Sequence, residues 1–123
     1  MRGAVIVDEQ DDFDNWLARQ ATFREHMATP DGNATIGAAQ YAVCAACHGQ
    51  AGEGNVAMNA PKLAGMPSWY VKRQIQNYKR GLRGVHPEDT YGQQMVGMVA
   101  TLADDAAIDN VTAHIATFPD NPP

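Results

Sequence analysis

The segment Cys44-Ala45-Ala46-Cys47-His48 constrains this chain more than any other. On a helix, residues three apart share a face, so the two thiols fall one turn apart on the same side. His48 follows directly and brings an imidazole beside them. Several chemistries share a C-x-x-C core. A structural zinc site needs two further ligands at suitable spacing, and the chain has no other cysteine. A thioredoxin-like dithiol needs alternating strands and helices, a pattern absent here. Attachment of a c-type haem uses the five residues as they stand. Both thiols add to the vinyl groups of one porphyrin, and the histidine gives a nitrogen to iron. The motif therefore implies one covalently bound haem c on Cys44 and Cys47, with His48 as an axial ligand.

The rest of the composition suits such a cargo. A length of 123 residues is that of one small domain. Hydrophobic residues at 45% against 19% charged describe a globular chain. Eleven Gly and seven Pro, with only 7% aromatics, suggest long loops and a modest core that a porphyrin would complete. The net charge of −5 excludes a nucleic-acid partner, which requires a basic footprint. It suits charge-steered meetings with a complementary protein. The charge is uneven, with DEQDDFD at residues 8–14 and Lys72, Arg73, Lys79, Arg80 and Arg83 in one short stretch. No apolar run approaches the roughly 20 residues that span a bilayer, and MRGAVIVDEQDD is not a signal peptide.

Periodicity divides the chain. GAVIV at residues 3–7 reads as a short strand. Phe13, Trp16, Leu17 and Phe23 follow helical spacing between Asp11 and Met27, with Asp11 or Asp12 as a cap. ATPDGNA at residues 28–34 is a linker. Thr35 caps a helix running into the cysteines, in which Gly37 serves close packing. Residues 48–66 form a loop. Pro67 or Ser68 opens a second helix with Trp69, Ile75, Tyr78 and Leu82 inward, ending at Gly81 or Gly84. A second loop, 84–101, holds Met95 and Met98. The last helix starts near residues 103–105, turns Ile108, Val111, Ile115 and Phe118 to one side, and stops at Pro119.

A second axial ligand remains to be found among six methionines. Met1 and Met27 lie before the main domain. Met58 and Met66 follow His48 closely, on its own side. Met95 and Met98 lie where the chain can return over the opposite face.

Residues 35–118, with APKLAG after the Cys-His motif, resemble a class I bacterial cytochrome c. The resemblance implies an all-α fold: three main helices around one covalent haem, with long loops. It implies that the Pro61 carbonyl supports His48, a familiar device for fixing a ligating imidazole. The family's ligand methionine precedes the leucine introducing the last helix by seven residues, which selects Met95 before Leu102, with Met98 as runner-up. Thioether ligation opposite histidine raises the reduction potential. The resemblance also places Gly37 and Tyr41 against Val111 and His114, a histidine where the family usually has an aromatic. Leu63, Trp69, Tyr70 and Tyr78 become pocket residues. Arg73, Arg80 and Arg83 are candidates for pairing with propionates or for solvated helix surface. His26 and His86 read as surface histidines.

Residues 1–17, MRGAVIV followed by DEQDDFDNWL, resemble the end of the copper-binding domain of cytochrome c oxidase subunit II. Caa-type haem-copper oxidases append a cytochrome c domain at that point. Together with the missing export signal, this implies an N-terminal appendage at 1–33 and a cytochrome domain at 34–123. Its Phe13, Trp16 and Leu17 should pack on the cytochrome core. Electrons would pass from a periplasmic donor, such as another cytochrome c or a quinol-oxidising complex, to the copper centre of the same subunit. The domain would then lie on the periplasmic side of the inner membrane, held by a membrane-anchored subunit among the other oxidase subunits. The alternative is a free periplasmic electron shuttle. A haem sensor or peroxidase would need an open sixth position and a distal His–Arg pair, neither of which stands out.

Overall fold

The computed structural model describes residue 7 and residues 9–19 and 31–120. Five α-helices carry the described part: α1 (Gln10–Ala18), α2 (Ala34–His48), α3 (Ser68–Lys79), α4 (Thr90–Val99) and α5 (Asp105–Ile115). A single 3₁₀ turn, Val56–Met58, interrupts the loop after α2. Among the described residues there is no strand, only an isolated bridge between Asn55 and Ala60. The architecture of the described residues is all-α, as the resemblance implied. The expected strand at 3–7 and helix extension through Phe23 to Met27 lie largely outside the described residues, as do Met1 and His26.

α2 and α5 cross closely and form the spine, with α3 packed against both α5 and α4. α2 is rich in alanine, the best helix former, and starts at Asn33 rather than at Thr35. Asn33 is extended, and its Oδ1 accepts from Thr35 N at 2.9 Å and Ile36 N at 3.1 Å. Its own N–H donates to Asn110 Oδ1 on α5 at 2.7 Å, so the cap also joins the two helices. One turn later Gly37 lies against the α5 backbone: a Cβ there would sit 1.9 Å from the Asn110 carbonyl oxygen. Tyr41 follows, its ring 5.4 Å from that of His114 and 5.0 Å from that of Phe118.

The core gathers Tyr41, Ala45, Val71, Ile75, Val99, Leu102, Ile108, Val111 and Ile115. α3 turns Ser68, Val71, Ile75 and Tyr78 inward, an i, i+3, i+7, i+10 stripe. Leu82 is not part of it. The helix ends in a Schellman turn, with Gly81 at φ +66, Gly81 N–H on Tyr78 O and Leu82 N–H on Asn77 O. That turn swings Leu82 outward, leaving it 68% exposed.

Two further expectations change. The segment holding Met95 and Met98 is a helix, not a loop. Asp89 caps it by accepting from Gly92 N at 2.8 Å, and Met95, Val99 and Leu102 recur at helical spacing toward the core. Gly92 and Gly97 lower the propensity enough to mask this periodicity in the sequence. On α1, none of the apolar side chains is buried: Phe13, Trp16 and Leu17 remain 45%, 50% and 52% exposed and are absent from the core. Nine residues studded with Asp11, Asp12, Asp14 and Asn15 offer no continuous apolar stripe for docking.

Candidate haem-attachment site

The last turn of α2 delivers Cys44, Cys47 and His48 together. Both cysteines are half-buried, one turn apart, and are not joined in a disulfide. Burial pushes the Cys44 thiol up. His48 is 5% exposed. Its Nδ1 lies 2.7 Å from the Pro61 carbonyl oxygen. A carbonyl only accepts, so Nδ1 carries the ring proton, and the lone pair is left on Nε2. The tautomer and the ring direction are thus both set for ligation through Nε2.

The loop after α2 exists to bring that carbonyl back. Gly54 N–H donates to His48 O at 2.8 Å, which starts the reversal. Gly54 has φ +84, and a Cβ on it would lie 2.7 Å from Lys62 N. Asn55 and Ala60 then exchange backbone hydrogen bonds of 2.8 and 3.0 Å, closing a narrow ring around the 3₁₀ turn. Pro61 leaves that ring directly. Leu63 N and Ala64 N both donate to Gly52 O, at 2.8 and 3.0 Å, and lock the far side. Tyr41 Oη donates to Gly49 O at 2.8 Å and ties the loop to the helix crossing. Burial, with the nearby Glu53 carboxylate added, holds the Tyr41 hydroxyl well above its usual value, so it remains a donor.

Cys44, Leu63, Met66, Tyr78, Met95 and Phe118 all pack, half-buried, on the same core cluster. Met98 does not join them and is 42% exposed; Met58 is 46% exposed. Trp69 is half-buried with its ring 5.9 Å from Tyr70, which is 38% exposed. Arg83 folds back over Tyr78, with its guanidinium carbon 4.6 Å from the ring centroid, and its Nη1 donates to Gln74 Oε1 at 2.7 Å. Arg73 on α3 and Arg80 just past its end are both exposed. His86 is exposed and accepts from Glu88 N at 3.2 Å. His114 meets the Tyr41 ring at a tilt and the Phe118 ring edge-on, and burial holds its pKa down.

No third and fourth protein ligand gathers around the thiols: no cluster of three His, Cys, Asp or Glu suited to a metal occurs among the described residues. Two cysteine sulfurs and an imidazole nitrogen on one helix end form the donor set of a thioether-bound porphyrin. Similarity decides the family. The cytochrome c pattern, described as "Cytochrome c", matches residues 34–119.

The chain belongs to the cytochrome c family.

Cytochrome c4 of Azotobacter vinelandii is 36% identical over 85 residues, covering 68% of this chain and 40% of that protein. Cytochrome c-554(547) of Halothiobacillus neapolitanus is 33% identical over 91 residues, 71% of this chain and 98% of the relative. A thiosulfate dehydrogenase electron acceptor of Thiomonas intermedia is 45% identical over 44 residues, 36% of this chain and 20% of that protein. The chain spans about two fifths of the length of the cytochromes c4 it matches. As a cytochrome c, it carries one covalent haem c on Cys44 and Cys47, with His48 in the attachment motif. None of the helices among the described residues is long and apolar enough to cross a membrane.

Sequence reasoning missed the residues that hold the cytochrome frame in place. Asn33 and Asn110 are polar residues in ordinary settings, and only the helix crossing joins them. Glu53 accepts from Ala51 N at 2.9 Å and braces the start of the loop. The sequence did contain a signal for Asn33, the favoured capping residue type ahead of an alanine-rich run.

Proposed function

We propose that this chain is a single-electron carrier in which His48 Nε2 and Met95 Sδ hold the haem iron from opposite sides. Haem c supplies a one-electron couple, and the protein's task is to hold its two axial ligands and exclude water. His48 meets this through its Pro61 hydrogen bond. Met95 is the candidate opposite because α4 turns it toward the cluster that contains Cys44, Leu63 and Tyr78. Met98, one turn along, points to the exposed side. In this reading Leu63, Trp69, Tyr70 and Tyr78 are the pocket residues, and Leu63 and Tyr78 share the Met95 cluster. Arg83, held on Tyr78 and Gln74, is the best-placed of the three arginines for a propionate, since less side-chain freedom is lost on pairing. The Met95→Ala holoprotein should lose the weak far-red Met-to-iron band, and Met98→Ala should keep it. The reverse pattern would overturn the assignment.

A carrier that exchanges electrons with periplasmic partners fits best with the relatives' names, which include an electron acceptor of thiosulfate dehydrogenase. The resemblance of residues 1–17 to oxidase subunit II supports a second reading, delivery to a neighbouring copper centre. A C-x-x-x-C copper segment encoded immediately upstream would favour the oxidase module; a signal peptide there would favour the shuttle.

A further inference from the structure

We infer that Lys79 is a positioning residue that keeps Met95 seated; this rests on Met95 as axial ligand. Lys79 is the last residue of α3, and its Nζ donates to the Leu102 carbonyl, 23 residues away, in a partly buried hydrogen bond. Leu102 lies at the junction between α4 and α5, two turns beyond Met95. It is 5% exposed, and its N–H already donates to Val99 O at 3.2 Å. Lys79 therefore anchors the far end of the segment that carries Met95 onto the neighbouring helix.

The other polar bonds around α4 act locally. Asp89 caps its own first turn, and Gln93 Nε2 reaches back to His86 O and Pro87 O at 2.9 and 3.2 Å. These bonds fix the start of α4, and Thr101 Oγ1, donating to Met98 O at 2.7 Å, closes its last turn on itself; Lys79 instead ties the turn just past that end to another helix. Lys79 is itself exposed, but its ammonium lands on the carbonyl of a buried residue, and a charged donor makes a stronger hydrogen bond than a neutral one. Without it the Leu102 carbonyl would lose its partner, and the junction could swing and carry Met95 with it. Lys72 provides the internal comparison. It sits on the same helix, but its ion pair with Asp109 joins α3 to the middle of α5, away from the Met95 segment.

Cyanide binding to the oxidised holoprotein reads this directly, because cyanide enters only as fast as the methionine leaves. Lys79→Met keeps the aliphatic stem and removes the donor. It should speed cyanide binding about tenfold, equivalent to about 1.4 kcal/mol. Lys79→Arg, which retains a charged donor, should recover most of the slow rate, and Lys72→Met should leave it unchanged. Chemical unfolding measured on the same variants separates positioning from general stability. The inference is overturned if Lys79→Met binds cyanide at the unmodified rate. It is equally overturned if Lys72→Met, at matched loss of stability, speeds binding as much. A far-red band that survives in Met95→Ala would identify the axial assignment as the point of failure, whereas a Met95-dependent band with an unchanged rate in Lys79→Met sinks the brace alone.

Discussion

Replacing Gly37 by alanine probes the contact on which the whole site is mounted. α2 carries the thiols and His48, and its bearing on α5 is set where Gly37 meets Asn110. The new methyl carbon would lie 1.9 Å from the Asn110 carbonyl oxygen, 2.5 Å from its carbon and 3.0 Å from His114 Cβ. Carbon and oxygen need roughly 3.2 Å, so the helices must part by about 1.3 Å in a densely packed crossing. The obstacle is backbone, so no rotamer change relieves it. Overpacking of this kind costs about 3 kcal/mol at the upper end of its usual range. Alanine returns about 1 kcal/mol of helix propensity, leaving a net loss of about 2 kcal/mol. For a domain of this size that lowers the melting temperature by roughly 10 °C. Thermal unfolding of the holoprotein by circular dichroism measures it. Ala39→Gly, exposed on the same helix, is the control and should cost only about 1 kcal/mol. An unchanged or raised melting temperature in Gly37→Ala would refute the argument.

Two other outcomes rest on the same helix pair. Burial holds the His114 pKa below its ordinary 6.5, so the unfolded chain takes up the proton first as acid is added. The stability His114 contributes is therefore complete above pH 6.5 and falls as pH drops through 6.5 toward the folded value. Urea unfolding of the unmodified chain and of His114→Phe between pH 7.5 and 5, roughly one unit on one side of the ordinary histidine value and more on the other, should show a shallower loss in the variant. A parallel decline in both would assign the pH dependence elsewhere. Asn33→Ala removes the cap of α2 and its bond to Asn110, and should cost about 1–2 kcal/mol in the same assay; Thr35→Ala should cost less than 0.5 kcal/mol, roughly the surface-substitution range.

Much of the fold was readable because its signals are local. The α5 stripe Ile108, Val111 and Ile115 repeats at helical spacing and is buried as expected, at 1%, 0% and 4% exposure. α3 also appeared in place, opened by Pro67 and closed at Gly81, because those residue types restrict the backbone wherever they stand. α4 was hidden because two glycines dilute its propensity. Its helix depends on the Asp89 cap and on the core contacts of Met95, Val99 and Leu102, which tertiary packing supplies.

The haem-attachment motif shows the same division. Five consecutive residues on one helix end were enough to specify the cofactor, the two thioether positions and one imidazole, because covalent chemistry at fixed helical spacing needs no distant partner. Those five residues could not specify how the imidazole is held or which groups approach it. The Nδ1 proton of His48 is placed by a carbonyl 13 residues away, which arrives only because the Asn55–Ala60 ring closes. The helix end is steadied by a glycine-to-backbone contact between α2 and α5, and Met95 by helices that meet it from other parts of the chain. Bond-forming groups are a property of local sequence; their directions are set by long-range packing, because each rests on atoms that only the folded chain brings together.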